Sequence, residues 1–139
     1  MTHRTSFSTG LKYEKFWQAI GWLMVAIVVW LSVTPSPPQM PSFFGWDKAQ
    51  HVTAYAGLMY WFGVSHIYRW RWPIFMATLG IGLEIVQGVS GLRSYDPYDM
   101  LANFIGVVIG LFIMDTRIGR WLAVVDHFLA DRLSLSKEL

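Results

Sequence analysis

The chain has 139 residues, of which 54% are hydrophobic, 17% aromatic and only 14% charged, and its formal net charge is +2. Soluble domains carry about 25% charged residues, so no polar shell can enclose this apolar content and an ordinary cytosolic enzyme is excluded. The same hydrophobicity excludes disorder, and the absence of cysteine removes thiol nucleophiles, disulfides and cysteine-zinc sites.

In chain order, a short N-tail (1–15) precedes an uncharged run from Phe16 to Thr34. At about 1.5 Å per residue that run crosses roughly 28 Å, close to the thickness of a bilayer's hydrocarbon. It has no Ala-x-Ala cleavage site and reads as a retained helix. Pro35, Pro37 and Pro38 end it, because proline withholds the helical donor. Further spans are expected from about Asp47 to Tyr68, from Pro73 to Gly91 and from Pro97 to Met114. Between the second and third lies Arg69-Trp70-Arg71-Trp72-Pro73, whose cations and aromatics suit a headgroup layer. Beyond Asp115 the pattern changes. Ile118, Trp121, Leu122, Val125, Phe128, Leu129 and Leu133 recur at helical spacing, with Arg120, Asp126, Asp131 and Arg132 between them. That pattern predicts an amphipathic helix on the membrane surface, within a cytoplasmic segment 115–139.

The cations set the orientation. Arg4, Lys12, Lys15, Arg69, Arg71, Arg117, Arg120, Arg132 and Lys137 are nine of the 11 basic residues, and all fall on one side of a four-span arrangement. Lys48 and Arg93 fall on the other. The positive-inside rule then puts both termini in the cytoplasm. The expected fold is an all-α, integral membrane four-helix bundle over 16–114, with both termini inside and a C-terminal amphipathic surface helix.

Ionisable groups at a helix centre cost about 2.5–3.5 kcal/mol on insertion scales, yet the outer half of this bundle collects them. Asp47, Lys48, His51 and Tyr55 open the second span, and offsets of three and four place the last three on one face. Glu84 and Gln87 share a face near the end of the third. Asp99 and Asn103, one turn apart, enter the fourth ahead of Gly106 and Gly110. By helical rise Glu84 lies about 10 Å inside the outer interface. A polar pocket opening outward is expected, with residues 91–97 on its rim.

Taken together, Asp47-Lys48-x-x-His51-x-x-x-Tyr55, Glu84-x-x-Gln87, Arg93-Ser94-x-Asp96-x-x-Asp99 and Asn103-x-x-Gly106-x-x-x-Gly110 resemble the VanZ-like family, over roughly residues 16–114. The resemblance implies a bacterial inner-membrane protein with a role at the cell envelope, in a family named for a teicoplanin-resistance protein. It implies no reaction.

Roles follow for the individual residues. His51, Glu84 and Asp99 are the candidates for proton transfer or catalysis. Asp47, Lys48, Tyr55, Gln87, Arg93, Asp96 and Asn103 are candidate ligand-binding residues, with Lys48 and Arg93 facing a phosphate or carboxylate. Each also has a structural alternative. His51 can bridge to Asp99 or Asn103, Glu84 can pair with Gln87, and Lys48 and Arg93 can form salt bridges to Asp96 or Asp99. Asp96 before Pro97 is the expected cap of the fourth helix. Gly106 and Gly110 read as packing notches.

A lone buried histidine with Glu84, Asp99 and Asn103 is a poor match to zinc sites, which show tighter local pairs. No metal or cofactor is expected, and nucleic acid is not a partner. The expected partner is a membrane lipid or lipid-linked envelope precursor, with homo-oligomers left open. The leading function is recognition, with or without modification, of such a substrate. A small proton-coupled transporter and a non-catalytic accessory protein are the alternatives.

Overall fold

The computed structural model describes residues 10–35, 47–66, 70–91 and 95–135. Among these the chain is all-helical: α1 (Glu14–Val33), α2 (Asp47–Ser65), α3 (Arg71–Ser90), α4 (Pro97–Met114) and, after a 3-10 turn at Ile118–Arg120, α5 (Trp121–Leu135). α1, α3 and α4 are long and apolar enough to cross a membrane. Their outer faces agree with that, since Leu23, Ile27, Ile81, Ile85, Phe104 and Phe112 are all exposed.

α2 matches the others in length but is not among these apolar helices. Its polar first turns hold Asp47, Lys48, Gln50 and His51. The packing explains why a more polar helix is acceptable here. α2 touches α1, α3 and α4, and Tyr55, Leu58, Met59 and Phe62 are at most 2% exposed. A helix covered on three sides needs no continuous apolar exterior.

The tightest contact is between α2 and α4, and two glycines make it. A Cβ on Gly106 would sit 2.5 Å from the Val52 carbonyl oxygen, and one on Gly110 would sit 2.6 Å from that of Ala56. Backbone therefore rests on backbone, the small-residue packing that membrane helices use in place of a hydrophobic drive. α3 ends at Gly91, whose φ of +67° is the left-handed cap conformation that favours glycine.

Cross-helix contacts fix which ends lie together. Gln87 at the end of α3 donates to the Ser32 carbonyl near the end of α1, and His51 of α2 meets Asn103 of α4. At the opposite end Gln18 of α1 donates to the Ser65 carbonyl, and the Trp61 indole donates to the Trp17 carbonyl. That end is aromatic. Phe62 stacks on His66 at 4.8 Å, with Trp22, Trp72 and Phe75 around it.

α5 corrects one expectation. Asp126, expected among the polar residues of a surface helix, is fully buried. Its carboxylate accepts the backbone N–H groups of Lys12 and Tyr13 and the Trp17 indole N–H. It thereby fastens the segment that leads into α1, Lys12 and the N-cap residue Tyr13, and the Trp17 side chain to α5. Hydrophobic spacing cannot reveal a partner 109 to 114 residues away. The expected apolar stripe also divides: Leu122 is buried against the bundle, whereas Ile118, Trp121, Phe128 and Leu133 are exposed.

Two outcomes are expected. Gly106→Ala should destabilise detergent-held protein by about 2 kcal/mol or more, since over-packing typically costs 1–3. Gly57→Ala, where a Cβ meets nothing within 4 Å, should be neutral or slightly stabilising. Equal melting of the two variants would contradict the α2–α4 contact.

Asp126→Ala should cost about 2 kcal/mol, as befits three lost hydrogen bonds, one of them from the buried Trp17 indole. Burial raises the Asp126 carboxyl, but the three N–H donors, with the neighbouring His127, outweigh it and hold the group below its ordinary value of 3.8. A depressed carboxyl contributes fully above that ordinary value and loses its contribution as pH falls through the folded one. The stability gap between wild type and Asp126→Ala should stay constant from about pH 7 to pH 5 and close only in stronger acid. A gap that closes near neutrality would contradict these hydrogen bonds.

Candidate functional site

The end holding the start of α2 and α4 and the close of α1 and α3 is polar. Helical spacing on α2 places Lys48, His51 and Tyr55 on the face turned to α4, as three- and four-residue offsets require. Asp99 and Asn103 answer them from α4, and both are buried. Because the glycine notches lie only one and two turns further along α4, the two polar faces meet at close range.

The Lys48 ammonium donates to Asp96 Oδ2 and Asp99 Oδ1, and it lies 3.9 Å from Asp47 Oδ2. His51 Nδ1 is 2.9 Å from Asn103 Oδ1 and its Nε2 is 3.6 Å from Asp99 Oδ2. Asp96 caps α4 by accepting the Tyr98 N–H at 2.9 Å, with Pro97 at the first helical position. The Lys48 ammonium first, and the Tyr98 N–H second, hold the Asp96 carboxyl below its ordinary range.

Glu84, 1% exposed, accepts the Asp96 backbone N–H on Oε1 at 2.7 Å. It thus secures the segment that leads into α4. Gln87 does not pair with it; its amide reaches α1 instead, at the Ser32 carbonyl. Both are buried because α3 turns this face inward and leaves Ile85, Val86 and Val89 exposed.

Between these helices lies a cavity of about 110 Å³. Asp47, His51, Tyr55, Glu84, Gln87 and Asn103 line it, interleaved with Val28, Leu31, Ala54 and Leu83. Gly80 gives it width, since a Cβ there would come within 3.0 Å of Asn103 Nδ2 and 3.3 Å of the Tyr55 ring. The Tyr55 hydroxyl is buried and has no hydrogen-bond partner among the described residues.

Nine of the ten residues singled out from sequence therefore come together at one end: Asp47, Lys48, His51, Tyr55, Glu84, Gln87, Asp96, Asp99 and Asn103. Arg93 lies outside the described residues. Lys48, Asp96 and Asp99 form a knot beside the cavity, and the other six face it. Sequence reasoning missed the wall supplied by α1, and also Gln50. Ser32, a polar residue near the end of an apolar run, was the available signal.

Comparison with protein-family models, with curated proteins and with solved structures finds no match. What this site can do follows from its own side chains. It offers carboxylate, amide, imidazole and phenol groups to a ligand with several hydroxyls or amines. The described ammonium nearest it is already engaged by two carboxylates.

The Lys48 knot makes a direct prediction. Lys48→Met leaves the buried Asp99 without its counter-charge, and breaking a buried pair in this way costs about 3–5 kcal/mol. Adding Asp99→Asn should restore part of that loss in thermal unfolding. Additive losses in the double variant would show that the pair is not coupled.

Proposed function

We propose that the chain is a VanZ-like protein of the bacterial cytoplasmic membrane, in which α1 to α4 all span and both termini are cytoplasmic. In this reading the cavity faces the outer leaflet and takes the polar headgroup of a membrane lipid or lipid-linked envelope precursor. The observation that carries it is the cavity itself: ionisable and amide groups line it together with aliphatic side chains. Such groups are costly in apolar surroundings and are by default functional there, and a mixed wall of this kind suits an amphiphile.

Tyr55, Glu84, Gln87 and Asn103 would meet headgroup hydroxyls or amines. His51 is placed to exchange a proton with the ligand, oriented by Asn103 and Asp99. Arg93 is the proposed anchor for a phosphate or carboxylate, because Lys48 is committed to Asp96 and Asp99. The outward position of the pocket rests on the segregation of nine basic residues from Lys48 and Arg93.

A second reading has its own support. Lys48, His51, Glu84 and Gln87 each tie one helix to another or to its cap. A non-catalytic accessory protein would need only that bracing. Lipid mass spectrometry of gently purified protein separates the two. The proposed function predicts a specific lipid retained by wild type and reduced at least about tenfold in Glu84→Gln, with folding unchanged, because a glutamine oxygen still accepts the Asp96 N–H. Equal retention by both would favour bracing. For orientation, Ser94→Cys should react with an impermeant thiol reagent in spheroplasts and Thr116→Cys should not; the reverse would turn the pocket to the cytoplasm.

A further inference from the structure

The ligand atoms of Asp47, His51 and Asp99 all lie within 4.8 Å of one another. These residues come from the first two turns of α2 and the first turn of α4, so the α2–α4 contact alone assembles them. We infer that they form a binding site for one divalent transition-metal ion of the Zn²⁺ or Mn²⁺ type. The inference does not depend on the lipid reading, since it rests on the geometry of three side chains.

Three features point to a metal rather than to an ordinary polar cluster. The first is the histidine. The tautomer with hydrogen on His51 Nδ1 donates to Asn103 Oδ1, 2.9 Å away. In that tautomer Nε2 carries a lone pair and lies 3.6 Å from Asp99 Oδ2. Metal-binding histidines are commonly arranged this way, with the distal N–H held by an oxygen and the other nitrogen presented to the ion.

The second feature is spacing. Nε2 and Asp99 Oδ2 are 3.6 Å apart, too far for a hydrogen bond. Two ligands bound at about 2.0–2.2 Å to one ion lie roughly 3.0–3.5 Å from each other, so this separation is close to a coordination edge. The Lys48 ammonium takes the other carboxylate oxygen, Asp99 Oδ1.

The third is Tyr55. It follows His51 by one helical turn and lines the same cavity as His51 and Asp47. Its side chain is 2% exposed and its hydroxyl has no partner among the described residues. Three protein ligands leave the ion open positions on the cavity side, and a water or substrate oxygen held there would give that hydroxyl a partner. One imidazole with two carboxylates favours a transition ion over Mg²⁺ or Ca²⁺, which prefer oxygen alone.

The test is titration calorimetry of chelator-treated, full-length protein in a non-coordinating detergent, using Zn²⁺, Mn²⁺, Mg²⁺ and Ca²⁺ separately and no added lipid. One equivalent of Zn²⁺ or Mn²⁺ should bind, with Mg²⁺ and Ca²⁺ far weaker. His51→Gln and Asp47→Asn should each weaken binding at least about tenfold, and His127→Gln, an exposed histidine on α5, should change nothing. Asp47 is 44% exposed, so Asp47→Asn tests the site even where His51→Gln disturbs folding. Absence of saturable binding, unchanged binding in Asp47→Asn, or equal affinity for all four ions would each overturn the inference. A site that binds metal while no lipid co-purifies would leave the metal assignment standing and remove only the lipid reading.

Discussion

The rest of the structure depends on α4 resting directly on the backbone of α2. Gly106 and Gly110 permit it, because any side chain there would collide with the carbonyls of Val52 and Ala56. Once the two backbones are that close, the residues a turn or two nearer the polar end come within reach of one another. Lys48 must meet Asp99, and His51 must meet Asn103. Polar groups that would be costly in an apolar medium satisfy one another across the seam, and α1 and α3 close the space around them.

Much of this was legible in the amino-acid order, for identifiable reasons. The helices follow from long apolar runs bounded by proline and glycine, and α4 begins and ends where the sequence places it, with Asp96 and Pro97 at its start. Shared faces were readable too, since the offsets of Lys48, His51 and Tyr55 are those of helical neighbours. Spacing within one helix cannot reveal the pairing between helices. Glu84 and Gln87 share a face of α3, yet one reaches the chain ahead of α4 and the other reaches α1. Asp126 was illegible for the same reason. An aspartate on a helix otherwise patterned for a surface gives no hint of three donors waiting far back in the chain.

The two ends of the bundle solve the same packing problem with different chemistry. At one, rings of Phe62, His66, Trp72 and Phe75 fill space by edge and face contacts, which tolerate small shifts of one helix against another. At the other, charged and amide groups fix positions through directional bonds. In the proposed function a ligand at the polar end would meet groups that are already oriented, and preorganisation of this kind favours selectivity.

The Asp126 contact also has a mechanical meaning. Two backbone N–H groups just ahead of α1 and the Trp17 indole converge on one carboxylate of α5. A pull on α5 is therefore felt first at the foot of α1, and from there at α2, where the Trp61 indole donates to the Trp17 carbonyl.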